Sequence, residues 1–234
     1  MTTKEYILKT IKTRPLIIDG AMGTQLQQRD EKIPKEAWEG NEGCNELLNV
    51  TCPEVLSEIY NAYLTAGADF IKTNTFGALP WVLDDYDIGH RTYELAHAGV
   101  KLAKEKCIKF STQEHPRFVL GSIGPGTKLP SLGHIAYDEM YEGYTEFCLA
   151  LIDGGVDVFL LETCQDPLQI KAALHACQEA NRQRGVEIPI MVSVTIELSG
   201  TMLIGTDAST IATILEPFDI LSLGLFKLSK AIII

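Results

Sequence analysis

Short β-branched apolar runs alternate without exception with longer segments of helical period, and this order constrains the fold more than anything else in the chain. The run 15–20 (PLIIDG) reads as a strand, 53–67 as a helix and 68–76 (ADFIKTNTF) as a strand. A helix within 90–108, a strand at 117–124 (RFVLGSIG) and a helix at 136–155 follow. The second half continues with a strand at 156–163 (VDVFLLET), a helix at 167–182, a strand at 188–196 (IPIMVSVTI), a short helix at 208–216 and a strand at 219–225 (DILSLGL). Strands that stay apolar through most of their length, each followed by a helix, form parallel sheets covered by helices.

An internal echo supports repeated βα units. AGADFIKTNT (66–75) and GGVDVFLLET (154–163) share a small helix end, a glycine, a small residue, an aspartate (Asp69 or Asp157), an apolar run and a polar pair. EPFDILSLG (216–224) repeats the theme weakly. No G-x-G-x-x-G follows the first strand, so a (β/α)8 TIM-barrel type of fold is expected in place of a doubly wound sheet. About six βα units are present, which makes the barrel incomplete.

In such a fold chemistry gathers at the carboxyl ends of the strands. Those ends carry Asp19-Gly20, Thr73-Asn74-Thr75, Gly121-Ser122, Glu162-Thr163, Thr195-Glu197 and Gly224. Asp19 reads either as a mouth carboxylate or as an N-cap for a helix starting near Ala21. Glu162 closes the run VFLLE, where an acid has to be paired or used. Two carboxylates across a mouth suit acid–base work or the grip of an ammonium group, and spacing does not choose between them. Lys72 admits an imine-forming role. The loop 121–133 (GSIGPGTKLPSLG) reads as an anion cradle or as plain turn residues.

Charge and cysteine usage exclude some classes. A formal charge of −11 repels nucleic-acid backbones and anionic lipid. No run has signal-peptide or membrane-span character, and a cytoplasmic location is expected. The six cysteines (Cys44, Cys52, Cys107, Cys148, Cys164, Cys177) lack C-x-x-C or other metal-type spacing and read mostly as reduced, buried hydrophobes. Cys164 is singled out by its place two residues past Glu162; His90, His97 and His134 show no partner pattern.

Taken together, LIIDGAMGTQLQ, GADFIKTNTFGA, GSIGPGTKLPSLG, VDVFLLETCQD and PIMVSVTI…SGTMLIGTD resemble the homocysteine-binding barrel of cobalamin-dependent methionine synthase and related homocysteine S-methyltransferases. The resemblance implies methyl transfer to a zinc-activated homocysteine thiol, with the ammonium held by Asp19 and Glu162 and further contacts from Gly20, Thr73 and Asn74. No catalytic residue is assigned. The family's zinc is held by three cysteines, one in G-x-N-C after the sixth strand and two in GGCCG after the eighth. Here Phe226-Lys227-Leu228 stand where NC is expected, and no metal site is carried over.

The expected organisation is therefore a partial homocysteine-binding barrel over 1–225 and an out-of-family tail over 226–234, as a shifted reading frame would leave. The chain alone is expected to be inactive. Zinc is a cofactor of the family; cobalamin and methyltetrahydrofolate are expected only through other domains. Homocysteine is the expected partner, with no nucleic acid, no membrane and self-association through open barrel edges. A noncatalytic or split amino-acid-binding barrel, completed by a partner, is the alternative; an unrelated barrel using Lys72 as an imine former is a third reading.

Overall fold

The computed structural model describes residues 1–227. Among the described residues the α-helices are α1 (Thr3–Thr10), α2 (Met22–Gln27), α3 (Leu48–Thr51), α4 (Pro53–Thr65), α5 (Pro80–Leu83), α6 (Thr92–Phe110), α7 (Tyr137–Gly154), α8 (Pro167–Arg184) and α9 (Ala208–Leu215). Five strands, β1 (Phe70–Lys72), β2 (Phe118–Ile123), β3 (Val158–Cys164), β4 (Ile190–Ile196) and β5 (Ser222–Lys227), form one parallel sheet in the order β1-β2-β3-β4-β5. Sequential neighbours joined by helices are the winding of an α/β barrel wall that does not close within these residues.

Local chemistry explains where helices start and stop. Thr2 and Glu5 form a reciprocal capping box on α1. The Asp166 carboxylate accepts from the Leu168 amide at 2.8 Å, with Pro167 at the first helical position of α8. Gly155 and Gly185 end α7 and α8 in the left-handed conformation.

Alternation along the strands sorts the core into two layers. Ile71, Val119, Phe159, Leu161, Val192 and Val194 face the helices and join their apolar faces in the main core. Phe70, Leu120, Val158 and Leu160 point the other way, towards the barrel axis, and are closed from below by Ile7 of α1. Gly121 lets α7 approach the wall, because a Cβ there would meet Val156 and Leu151 side chains at 2.8 and 2.9 Å.

The predicted first strand, 15–20, is corrected to a single bridge between Ile18 and Phe70. The Ile17 carbonyl accepts from the Asp69 and Phe70 amides (2.8 and 3.1 Å), but its own amide donates to the Asp69 carboxylate at 2.8 Å, replacing a ladder bond. The strand predicted at 68–76 is likewise shortened to β1: the Thr73 amide still donates to the Leu120 carbonyl, but the Asn74 amide turns to the Tyr60 hydroxyl, and the Thr73 and Thr75 hydroxyls take up the Ser122 amide and carbonyl. α1, α3 and α5 were not foreseen, and α2 was raised only as the helix that Asp19 would cap. β5 runs to Lys227, two residues into the segment read as a tail; 228–234 lie outside the described residues.

The echoed aspartates are staples. Asp69 is almost fully buried and accepts from Arg14 (2.9 and 2.7 Å), the Ile17 amide and the His115 ring at 2.8 Å. Asp157 binds the Val119 amide at 2.9 Å and Lys104 at 2.6 Å. Each ties the start of its strand to an amide of the wall segment before it. Burial raises the Asp69 pKa, yet the bonds from Arg14, Ile17 and His115 outweigh it and hold the group at about 2. A carboxylate whose pKa falls on folding stabilises above its unfolded value, and that contribution is lost as pH drops from about 4 to about 2. Asp69→Asn is expected to cost about 2–3 kcal/mol in urea unfolding at pH 7, in the range of charged hydrogen bonds, and less as pH is lowered towards 3. An unchanged unfolding midpoint would show that the staple is dispensable.

Candidate functional site

The axis-facing side chains turn polar at the carboxyl ends of the strands. Two residues above Phe70, Leu120 and Leu160 stand Lys72, Ser122 and Glu162, and with Asp19 they line a cavity of about 360 Å³. Gly20, Met22, Asn45, Glu46, Thr73, Asn74, Phe76 and Thr163 complete much of its wall. All five residues predicted for homocysteine, Asp19, Gly20, Thr73, Asn74 and Glu162, are therefore brought to one cavity. A larger cavity, about 560 Å³, lies at the opposite end of the wall between α1, the end of α8 and the starts of β4 and β5, away from these groups.

Asp19 does not cap a helix. The N-cap of α2 is Ala21, which makes no side-chain bond, and Asp19 Oδ2 instead accepts from the Lys72 amide at 3.0 Å. Its other oxygen is buried and has no hydrogen-bond partner among the described residues. Burial pushes the Asp19 carboxyl up to about 7, helped by the charge of Glu162 and opposed by the Lys72 amide and ammonium. Gly20 leaves room for Tyr63, whose hydroxyl would lie 2.7 Å from a Cβ at that position and donates to the Ala21 carbonyl.

Glu162 is aimed by an irregularity in its strand. The β3–β4 register shifts between Leu161 and Cys164, and Thr163 takes a positive φ of 58°. Such a bulge re-aims side chains, and the left-handed backbone of a β-branched residue carries strain. Three bonds offset it: Thr163 N–H donates to Ser193 Oγ at 3.0 Å, its hydroxyl to the Glu162 carbonyl at 2.7 Å, and Thr195 Oγ1 to the Thr163 carbonyl at 3.2 Å. The Glu162 carboxylate then meets Ser122 Oγ, which donates to Oε1, and Lys72 Nζ, 3.3 Å from Oε2.

Thr73 and Asn74 are committed elsewhere. Thr73 Oγ1 accepts from the Ser122 amide (2.9 Å) and lies 2.6 Å from Thr75 Oγ1, which donates to the Ser122 carbonyl. Asn74 Nδ2 donates to the Asn45 carbonyl and Asn49 Oδ1, and its backbone amide donates to the Tyr60 hydroxyl at 3.0 Å. They shape the floor of the cavity. Glu46, Ser122 and Thr163 were not chosen from sequence as site residues. Ser122 carried the available signal, its place at a strand end; Glu46 lies in a one-turn 3-10 helix with no periodicity to betray it. It accepts from the Gly77 amide at 2.7 Å, and burial raises its pKa.

Of the remaining candidates, Lys72 lines the mouth, and the cysteines, the histidines and the 121–133 loop beyond Ser122 fall away from it. Cys164 is buried on the helix side of β3, where burial pushes its thiol up to about 12. All six cysteines are free and buried, and none lines the cavity. His97 stacks on Tyr93, and His90 and His134 are exposed. In the loop 121–133 the Ser131 amide donates to the Asp166 carboxylate at 2.9 Å, so that segment is held by an anion of the protein itself. Lys72 belongs to an ion pair, unlike the isolated amine in an apolar pocket that an imine former needs.

The mouth thus offers oxygen donors, and the thiolate set implied for zinc has no counterpart there. Among the described residues no group of three or more His, Cys, Asp or Glu side chains is placed to hold a metal ion. Glu162 and Glu46 already have protein partners. The residues present do not fit a thiolate-bound zinc. Among the described residues no helix is long and apolar enough to cross a membrane.

An incomplete parallel α/β barrel with paired carboxylates at its mouth is the class that fold and site define. The family model for homocysteine S-methyltransferases matches residues 16–225, and the chain belongs to that family. It is 45% identical over 219 residues to methionine synthase of Mycobacterium leprae and 44% identical to that of Mycobacterium tuberculosis. Each match covers 94% of this chain and 18% of the relative, so the chain spans less than a fifth of their length. In backbone it resembles the Escherichia coli homocysteine methyltransferase MmuM, in its metallated and oxidized forms, with TM-scores of 0.74 and 0.75 at 21% identity. Those matches cover 93% and 95% of this chain and 76% of each MmuM chain.

Because its pKa rises on folding, Asp19 costs stability as pH climbs from about 4, where the unfolded group ionises, to about 7. Asp19→Asn keeps an acceptor for the Lys72 amide and removes that cost. Its melting temperature is expected to exceed the parent's at pH 8, by about 2–4 °C for each kcal/mol regained in a chain of this size. The advantage should shrink at pH 4.5. A gap of equal size at both pH values would refute the assignment of the buried charge.

Proposed function

We propose that this chain binds homocysteine at the mouth formed by Asp19 and Glu162, as the substrate-binding part of a methionine synthase. The observation that carries the reading is the convergence of these two carboxylates, from the first and fourth wall segments, in one cavity of a chain belonging to the homocysteine S-methyltransferase family. The unpartnered Asp19 oxygen is an acceptor awaiting a donor, and an α-ammonium is one. Its arrival favours the ionised form of Asp19. Gly20, Thr73 and Asn74 set the depth of the cavity, with Thr73 and Asn74 acting by position.

In the family reading, zinc raises the thiolate fraction of the substrate, and the methyl group comes from cobalamin or methyltetrahydrofolate bound on other domains. The 234-residue chain carries none of the expected thiol ligands at its mouth, so it binds the amino acid without transferring a methyl group. A split barrel is the second reading. Among the described residues β5 pairs only with β4 and the 17–18 segment only with β1, with Ile17, Ile18 and Leu225 about half exposed. Such edges favour self-association or completion by a partner that supplies further strands.

Calorimetric titration of the purified chain is expected to show homocysteine binding that weakens about tenfold or more in Asp19→Asn and in Glu162→Gln, the range for loss of a charged hydrogen bond. In the parent, affinity should fall as pH is lowered through about 7, where Asp19 takes up its proton. Binding untouched by either substitution would overturn the site. With zinc, homocysteine and a methyl donor added, no turnover above a metal-free control is expected.

A further inference from the structure

A pocket lined with carboxylates alone would select amines, not amino acids. Asp19, Glu46 and Glu162 would attract a ligand's ammonium but repel the carboxylate on the same carbon. Lys72 is the one cationic side chain among the residues lining the cavity. It stands between the two carboxylates assigned to the ammonium: its main-chain amide holds Asp19 at 3.0 Å, and its side chain reaches Glu162.

That second contact is loose. Lys72 Nζ lies 3.3 Å from Glu162 Oε2, against 2.6 Å for Lys104 with Asp157 and 2.7 Å for Lys32 with Glu58. It is also the one side-chain hydrogen bond found for Lys72 among the described residues, where an ammonium can donate three. The side chain is a quarter exposed, so it has room to move. Glu162 meanwhile keeps Ser122 as a second anchor and does not depend on Lys72 for its position.

We infer that Lys72 is a specificity-determining residue that receives the α-carboxylate of the bound amino acid. This rests on the homocysteine reading above. In the empty mouth the Lys72 ammonium occupies the place of the ligand's own ammonium beside Glu162. When the zwitterion enters, its ammonium takes over Glu162 and the free oxygen of Asp19, and Lys72 turns to the carboxylate. The result is an alternating row, ligand carboxylate, Lys72, Glu162, ligand ammonium and Asp19, in which every charge has a neighbour of opposite sign.

The test is calorimetric titration of the full 234-residue chain with L-homocysteine and with 3-aminopropane-1-thiol, which keeps the amine and thiol but lacks the carboxylate. The parent is expected to prefer homocysteine by about tenfold or more, one charged hydrogen bond's worth of discrimination. Lys72→Met should erase most of that preference, weakening homocysteine while leaving the amine unchanged or tighter, since its rival for Glu162 is gone. Lys72→Arg, which keeps the charge, should retain the preference, and matching circular dichroism spectra separate these effects from misfolding. Undiminished preference in Lys72→Met overturns the inference alone. Failure of the parent to bind either compound overturns the homocysteine reading, and the inference with it.

Discussion

Side chains on a parallel strand point alternately to two sides, and everything else in this molecule follows from that parity. One set meets the helices; the other meets the axis of the wall. Phe70, Leu120, Val158 and Leu160 fill the axis side near its base, and Ile7 closes it. Further along, the same parity places Lys72, Ser122 and Glu162 on that side, and a cavity walled also by Met22 and Phe76 replaces the core. The mouth is the part of the barrel interior where charged side chains take over from the strands' apolar ones.

Asp69 and Asp19 show how one residue type is driven in opposite directions by its surroundings. They sit on the first two wall segments, Asp69 almost fully buried and Asp19 half-buried at the mouth. Asp69 collects bonds from Arg14, Ile17 and His115 and remains ionised down to about pH 2. Asp19 collects one amide, keeps a bare oxygen and titrates at about 7. The supply of donors, more than burial, separates an acid that holds the fold from an acid held in reserve. Natural sites accept such instability where a ligand makes it good.

Much of this could be read from the residues. The alternation of VFLLE-type runs with helical segments specified the parallel sheet, and ending Glu162 after four apolar residues marked it as unusual. The repeat of Gly, small residue and Asp at 67–69 and 155–157 was visible, but its meaning was not: only the neighbouring amides of Ile17 and Val119 reveal a staple. Propensity overstated the strand at 15–20, since the Asp69 side chain captures the Ile17 amide that a full ladder would use. Asn74, polar and at a strand end, does line the cavity, but its side-chain NH2 group is held by Asn45 and by Asn49 of α3, partners distant in sequence. The Lys72–Glu162 pair joins residues ninety positions apart and leaves no local trace.

The bulge at Thr163 ties the aim of Glu162 to a different strand. Because Ser193 Oγ and Thr195 Oγ1 hold the twisted backbone, the direction of that carboxylate is set from β4. β4 in turn is gripped along its whole far side by β5. The outermost strand therefore works as a distant jig: a shift of its register travels across two ladders and swings an acid it never touches.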